Sequence, residues 1–268
     1  MIKDYYVPLR NLRSFPSETT LAYIPKRDIE KRSEKALIYA FICNRQLFGR
    51  TYEKILPFYF NRMPKDSGVV IYTMVCSKIL GWHRKPGDID LLVIPYEGSQ
   101  LALHKSLAIE VKISRNRFDR QHKSPNQFGY SQTQGLEKMG FPYTALIHLI
   151  VSDVSPEEEW INMQMMQIAD NHDMCKFISN TKQDLMPYNL LQRSYRRLLK
   201  NRPKESSMGL VCAYLDLIFL ETKNERLFFP VGDAAHPNSN YSISLLKELA
   251  QFANIERNLH YSIPRYDP

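Results

Sequence analysis

Asp88 and Asp90 stand two residues apart in Pro86-Gly87-Asp88-Ile89-Asp90, and twenty positions after Asp90 comes Glu110-Val111-Lys112. Side chains alternate along an extended chain, so Asp88 and Asp90 share one face of their strand, and Glu110 and Lys112 share one face of theirs. If the two strands are neighbours, an aspartate, a glutamate and a lysine meet at one spot. Their flanks (Leu91, Leu92, Val93, Ile109, Val111) are apolar, and carboxylates in such strands need a compensating cation or partner. Mg²⁺, with Mn²⁺ as a substitute, meets that need because it takes carboxylate and water oxygens. Asp90 and Glu110 are the expected metal ligands, with Asp88 a possible third. A metal-bound water is more acidic, and Lys112 could orient or deprotonate it and stabilise a developing anion.

The elements that must position these residues are legible as changes of period. A helical stretch is expected from about Asp28 to Phe48, closed by Gly49, and a second helix from Thr51 carries Glu53, Ile55, Leu56 and Phe60. Three strands follow, at Gly68–Cys76, Asp88–Pro95 and Leu107–Ile113. A helix at Ser131–Met139, stopped by Gly140, precedes a strongly apolar strand at Tyr143–Val151. Ser155-Pro156-Glu157 looks like another helix start, with the Met163–Met166 run packing its core side. A basic helix near Leu190–Lys200, a strand at Leu210–Leu220 and a helix near Ile243–Ala253 complete the chain. The expectation is one α/β domain with a central mixed sheet and helical additions at both ends. Its segments are an arm and helix (1–50), a core (51–155) and an α/β extension (156–268).

GDID followed by EVK, within the order helix, three strands, helix, strand, resembles the PD-(D/E)xK nuclease superfamily, which includes restriction endonucleases and Holliday-junction resolvases. The resemblance covers roughly Thr51 to Val151. It implies a restriction-endonuclease-like core and Mg²⁺-dependent hydrolysis of phosphodiester bonds, with DNA favoured over RNA and endonuclease action favoured. It also implies Asp90 and Glu110 as metal ligands and Lys112 as the catalytic lysine. Members often carry a glutamate on the helix before the first strand; Glu53 is the first choice here and Glu34, further upstream, the second. They often carry a glutamine on the helix after the lysine, for which Gln132 or Gln134 is favoured over Gln127. Cutting both strands of a duplex would be simplest for a homodimer.

Charge agrees with a polyanionic partner. The chain has 268 residues, a formal charge of +8 and a pI near 9.2, and Lys and Arg displace counterions from phosphates. Arg115, Arg117, Arg120 and Lys123 follow the proposed lysine against Asp119 alone. Arg193, Arg196, Arg197 and Lys200 lie opposite an apolar face of Leu191, Tyr195, Leu198 and Leu199 on a helix. Both groups are candidate nucleic-acid contacts.

Cys43, Cys76, Cys175 and Cys212 form no CxxC pair, so reduced and mostly buried thiols are expected. The histidines lack metal-site spacing, and Gly232-Asp233-Ala234-Ala235-His236 suggests structure more than chemistry. No stretch approaches the ~20 apolar residues of a membrane span, and the N-terminus has no signal-like run, so no membrane partner and a cytoplasmic location are expected. Two alternatives use the same residues. DIDLLV resembles the aspartate strand of nucleotidyltransferases, which would use Asp88 and Asp90. That family needs a Gly-Ser turn, and Gly81-Trp82-His83-Arg84-Lys85 stands there instead. The other is a nucleic-acid-binding module of nuclease fold without activity.

Overall fold

The structure is a computed structural model that describes residues 2–9, 25–57, 64–76, 88–122, 125, 128–168, 175–217, 228–255 and 260–264. It is an α/β protein built on a mixed sheet. The strands at its centre are β2 (Ser67–Val75), β3 (Ile89–Glu97), β5 (Leu107–Arg115), β6 (Tyr143–Val151) and β9 (Gly209–Tyr214). β2, β3 and β5 run antiparallel in turn, then β5, β6 and β9 run parallel. Short strands widen the sheet: β1 (Tyr6–Pro8) on the hairpin strand β4 (Gln100–Ala102), β10 (Val231–Asp233) on β9, and β11 (His260–Pro264) on β2. Their three to five residues leave no period to read, and none of the four was expected.

The two faces of the sheet carry different helices. Leu91, Val93, Ile109, Val111 and Ile147 pack on one face against α2 (Glu34–Cys43) and α3 (Arg45–Ile55). The opposite face meets α4 (Tyr130–Met139) and α6 (Ile243–Ile255) beside β3 and β5. Next to β6 and β9 it meets α5 (Met186–Asn201). The order helix, three strands, helix, strand is present as α3, β2, β3, β5, α4 and β6, with β4 inserted. β6 is buried at every position, as its unbroken apolar run requires.

Several expectations are corrected. The single helix at 28–48 is three: α1 (Lys26–Glu30), α2 and α3. Arg32 breaks the first with φ 48, and Ser33 caps α2 by accepting from Ala36 N at 3.3 Å. Asn44 then caps α3, its Oδ1 accepting from Leu47 N at 3.0 Å. Gly49 and Thr51 therefore lie inside α3, where Thr51 Oγ1 donates back to Leu47 O at 2.7 Å, and a boundary at Thr51 would cut that helix. Phe60 lies outside the described residues.

The helix expected after Ser155 is one 3-10 turn, Glu157–Glu159, followed by a two-stranded arm of β7 (Ile161–Ile168) and β8 (Cys175–Gln183). Met163, Met165 and Met166 are exposed there rather than packed in a core. The strand expected to run to Leu220 ends at Tyr214. Of the thiols whose side chains are described, Cys212 is buried, Cys43 exposed and Cys76 intermediate, so the expectation of mostly buried cysteines fails. Among the described residues no helix is long and apolar enough to cross a membrane.

Candidate active site and basic surface

The ladder between β3 and β5 is short: Leu91 faces Ile109, Leu92 faces Ala108 and Val93 faces Leu107. Beyond Leu91 the aspartate side chain takes over, and Asp90 Oδ2 accepts from Val111 N at 2.7 Å. On the other side of β3, pairing with β2 passes from Thr73↔Leu91 to Val75↔Ile89. The skipped residue, Met74, has φ 50, a left-handed backbone uncommon for a residue with a side chain. Regular pairing is thus interrupted on both flanks of Asp90. Its carboxylate occupies the opening.

Glu110 is 3% exposed, and its Oε1 meets Lys112 Nζ at 2.6 Å. Burial pushes the Asp90 carboxyl up to about 7, and Glu110 adds repulsion; the Val111 hydrogen bond and Lys112 act against the rise. Burial also raises Glu110, against the pull of its bond to Lys112. The pair is therefore short of positive charge, with one ammonium facing two desolvated carboxylates. That donor set fits Mg²⁺, which is commonly held by one or two carboxylates together with substrate phosphates. Asp88 does not join them. It is exposed at the start of β3, and no group of three or more His, Cys, Asp or Glu converges among the described residues.

Of the two upstream glutamates, Glu34 adds a smaller repulsion to the pair. Its charge raises both Asp90 and Glu110. Glu34 opens α2, and the turn before it is tied to the end of β5, because Arg115 Nε and Nη2 donate to Arg32 O at 3.2 and 2.9 Å. Glu53 instead pairs with Arg50 at 3.4 Å on α3, which lies mainly against β9 and β10. A Ser-Glu pair opening a helix was the available signal for Glu34. Chain distance spoke against it, and packing of α2 on the sheet removes that distance.

Two residues not singled out from the sequence hold Lys112 in place. Gly129, at φ 91, precedes α4, and a Cβ there would lie 2.7 Å from Leu146 Cδ1 and 3.1 Å from Lys112 Cγ. Only glycine lets the loop close over the lysine stem. His148 sits beside Lys112 in the β5–β6 register. Its Nε2 donates to Phe128 O at 3.0 Å, which fixes the approach to α4. Burial holds this imidazole down at about 4, and the Lys112 charge acts in the same direction, so it is neutral at pH 7. A lone histidine in an apolar strand was its only sequence signal.

Of the two favoured glutamines, Gln132 has a buried Oε1 with no hydrogen-bond partner among the described residues, on the first turns of the helix that Gly129 opens. Such an atom is costly unless something binds it. Gln134 is half-buried on the same helix. Gln127 lies outside the described residues.

No family model, curated protein or solved structure matches this chain.

The loop after β5 and α5 bring several basic residues together, whereas Arg115 is turned to Arg32 O. Arg193 Nη1 donates to Gln121 O at 2.8 Å and Arg197 Nη1 to His122 O at 3.3 Å, so α5 seizes the loop that leaves β5. Arg117 and Arg120 form a tight backbone turn in that loop, and Arg117 pairs with Asp119 at 3.2 Å in the open. Arg196 and Lys200 are exposed on α5. Lys123 lies outside the described residues. On the apolar side of α5, Leu190, Leu191 and Leu198 are buried whereas Leu199 is exposed. Asp233 is consumed structurally, accepting from Tyr195 Oη at 2.6 Å and from Arg202 Nη1 at 3.0 Å.

Proposed function

We propose that this chain is a metal-dependent nuclease of restriction-endonuclease-like architecture, with DNA as its favoured substrate and Asp90, Glu110 and Lys112 at its centre. The observation that carries the reading is the desolvated Asp90–Glu110 pair with the Lys112 ammonium against it, at an interruption of the β3–β5 ladder. The element order α3, β2, β3, β5, α4, β6 supports the same reading. So do the basic residues that the loop after β5 shares with α5.

Asp90 and Glu110 are the residues that would hold Mg²⁺. Bound there, the ion supplies Lewis-acid polarisation of a phosphoryl oxygen and a more acidic water. The chain's own groups do the rest. Asp90 holds Val111 and so fixes the strand carrying Glu110 and Lys112. Lys112 offers an ammonium that stabilises charge building on the phosphate. Arg117, Arg120, Arg196 and Lys200 bind the backbone of the strand to be cut.

The test is cleavage of labelled single- and double-stranded DNA and RNA in Mg²⁺, Mn²⁺ or EDTA, comparing the wild type with Lys112→Ala. Metal-dependent cutting that falls about a hundred- to a thousandfold in the variant is expected. Cutting that continues in EDTA, or undiminished in Lys112→Ala, would overturn the assignment. Absence of cutting on every substrate, with salt-sensitive binding intact, would leave a binding module in its place.

A further inference from the structure

A cleft of about 620 Å³ opens where the base of the β7–β8 arm, the first turn of α5 and the residues leading into β10 come together. Its walls include Trp160, Tyr188, Phe228 and Phe229, with Lys182 at hand. The size is that of small-ligand sites, roughly 300–1,000 Å³. Tyr188 also belongs to the neighbouring groove lined by Arg193, Arg196, Arg197 and Lys200. An aromatic cleft and a cationic groove thus share one wall.

The rings are held rather than loose. Trp160 Nε1 donates to Ser155 O at 3.0 Å. Phe228 stands edge-on to Tyr214, with centroids 5.0 Å apart. Arg50 lies 5.7 Å from the Phe229 ring centroid. Yet Tyr188 is 53% and Phe229 66% exposed, so both present ring surface to solvent. The cleft's carboxylate, Asp184, is already engaged by Ser155 and by Met186 N, which leaves cations and rings to greet a ligand.

Flat rings beside a row of cations suit a polymer that alternates bases with phosphates. Duplex DNA keeps its bases stacked inside, whereas a single strand offers them. We propose that this cleft binds the unpaired bases of a single-stranded DNA segment whose phosphates follow α5, so that the substrate contains single-stranded DNA. The proposal rests on the nuclease reading for its place in a reaction. The cleft itself is tested without cleavage.

Binding is measured in EDTA with the whole chain, using a twenty-nucleotide oligothymidylate, an abasic strand of equal length and a matched duplex. Oligothymidylate should bind at least about tenfold more tightly than the abasic strand. Tyr188→Ala should weaken oligothymidylate by about five- to a hundredfold and leave the abasic strand unchanged. Because the Tyr188 ring is exposed, its melting curve should overlay that of the wild type. In a Trp82→Phe background, Trp160 fluorescence should be quenched by oligothymidylate and not by the abasic strand. Equal binding of the two strands, tighter binding of the duplex, or no binding at all would each overturn the proposal. Metal-dependent cleavage lost in Lys112→Ala would survive any of those results. Conversely, base-dependent binding without cleavage would sustain the cleft and remove the nuclease.

Discussion

Asp90 and His148 oppose each other in their effect on stability, although both lie in the same sheet. With Asp90 raised to about 7, the folded chain keeps a proton that an unfolded aspartate releases near pH 4. Its contribution is complete at lower pH and is withdrawn as pH climbs through 7. With His148 lowered to about 4, the unfolded chain takes up a proton below about 6.5 that the folded chain refuses, so this residue's contribution is lost as pH falls. Below about 6.5 His148 offsets Asp90; above it the raised carboxyls of Asp90 and Glu110 act alone. Thermal melts in EDTA should therefore show the wild type weakening from about pH 6.5 to 8. In Asp90→Asn that weakening should shrink, with a gain of about 2–4 kcal/mol at pH 8. The rise between pH 4.5 and 6.5 due to His148 should then stand uncovered. An Asp90→Asn curve parallel to the wild type would show that the carboxyl is not raised.

At the level of elements, the tightest constraint on Lys112 is the turn into α4. Gly129→Ala puts a methyl into Leu146 and the lysine stem and also strains a backbone at φ 91. A loss of about 1–3 kcal/mol is expected in denaturant melts, with a fall in cleavage larger than the lost stability explains. The residues that made the elements visible are also those that left parts hidden. β2, β3, β5 and β6 were legible to within two residues because their β-branched and apolar runs fit only a buried sheet. Asp90, Glu110 and Lys112 were legible as charges inside those runs. The arm was not, since Met and Gln favour helices and only pairing of Ile161–Ile168 with Cys175–Gln183 makes them strands. Gly49 resembled a helix stop, but the boundary belongs to Asn44, whose side chain caps α3. Glu34 needed the packing of α2, which no local pattern discloses.

Across the whole molecule, the net charge of +8 finds a focus where the loop after β5 meets α5. Its basic residues divide in two by what they already hold. Arg193 and Arg197 bind loop carbonyls, so their loss disturbs structure as well as charge. Arg196 and Lys200 are exposed and suit a cleaner experiment. Replacing both by Gln should reduce the slope of log affinity against log salt by about 1.4 for a single strand, with an unchanged melt. An unaltered slope would place the polyanion elsewhere.

Methionine is divided unevenly between the arm and the segments packed on the sheet. Met163, Met165 and Met166 are 38–48% exposed, whereas Met139, Met186 and Met208 are buried. An oxidant therefore reaches these arm methionines long before it reaches the three buried ones, and each sulfoxide replaces an apolar thioether with a polar, chiral group. The arm would record exposure to peroxide while the core methionines remain reduced, so one chain would carry two chemical ages.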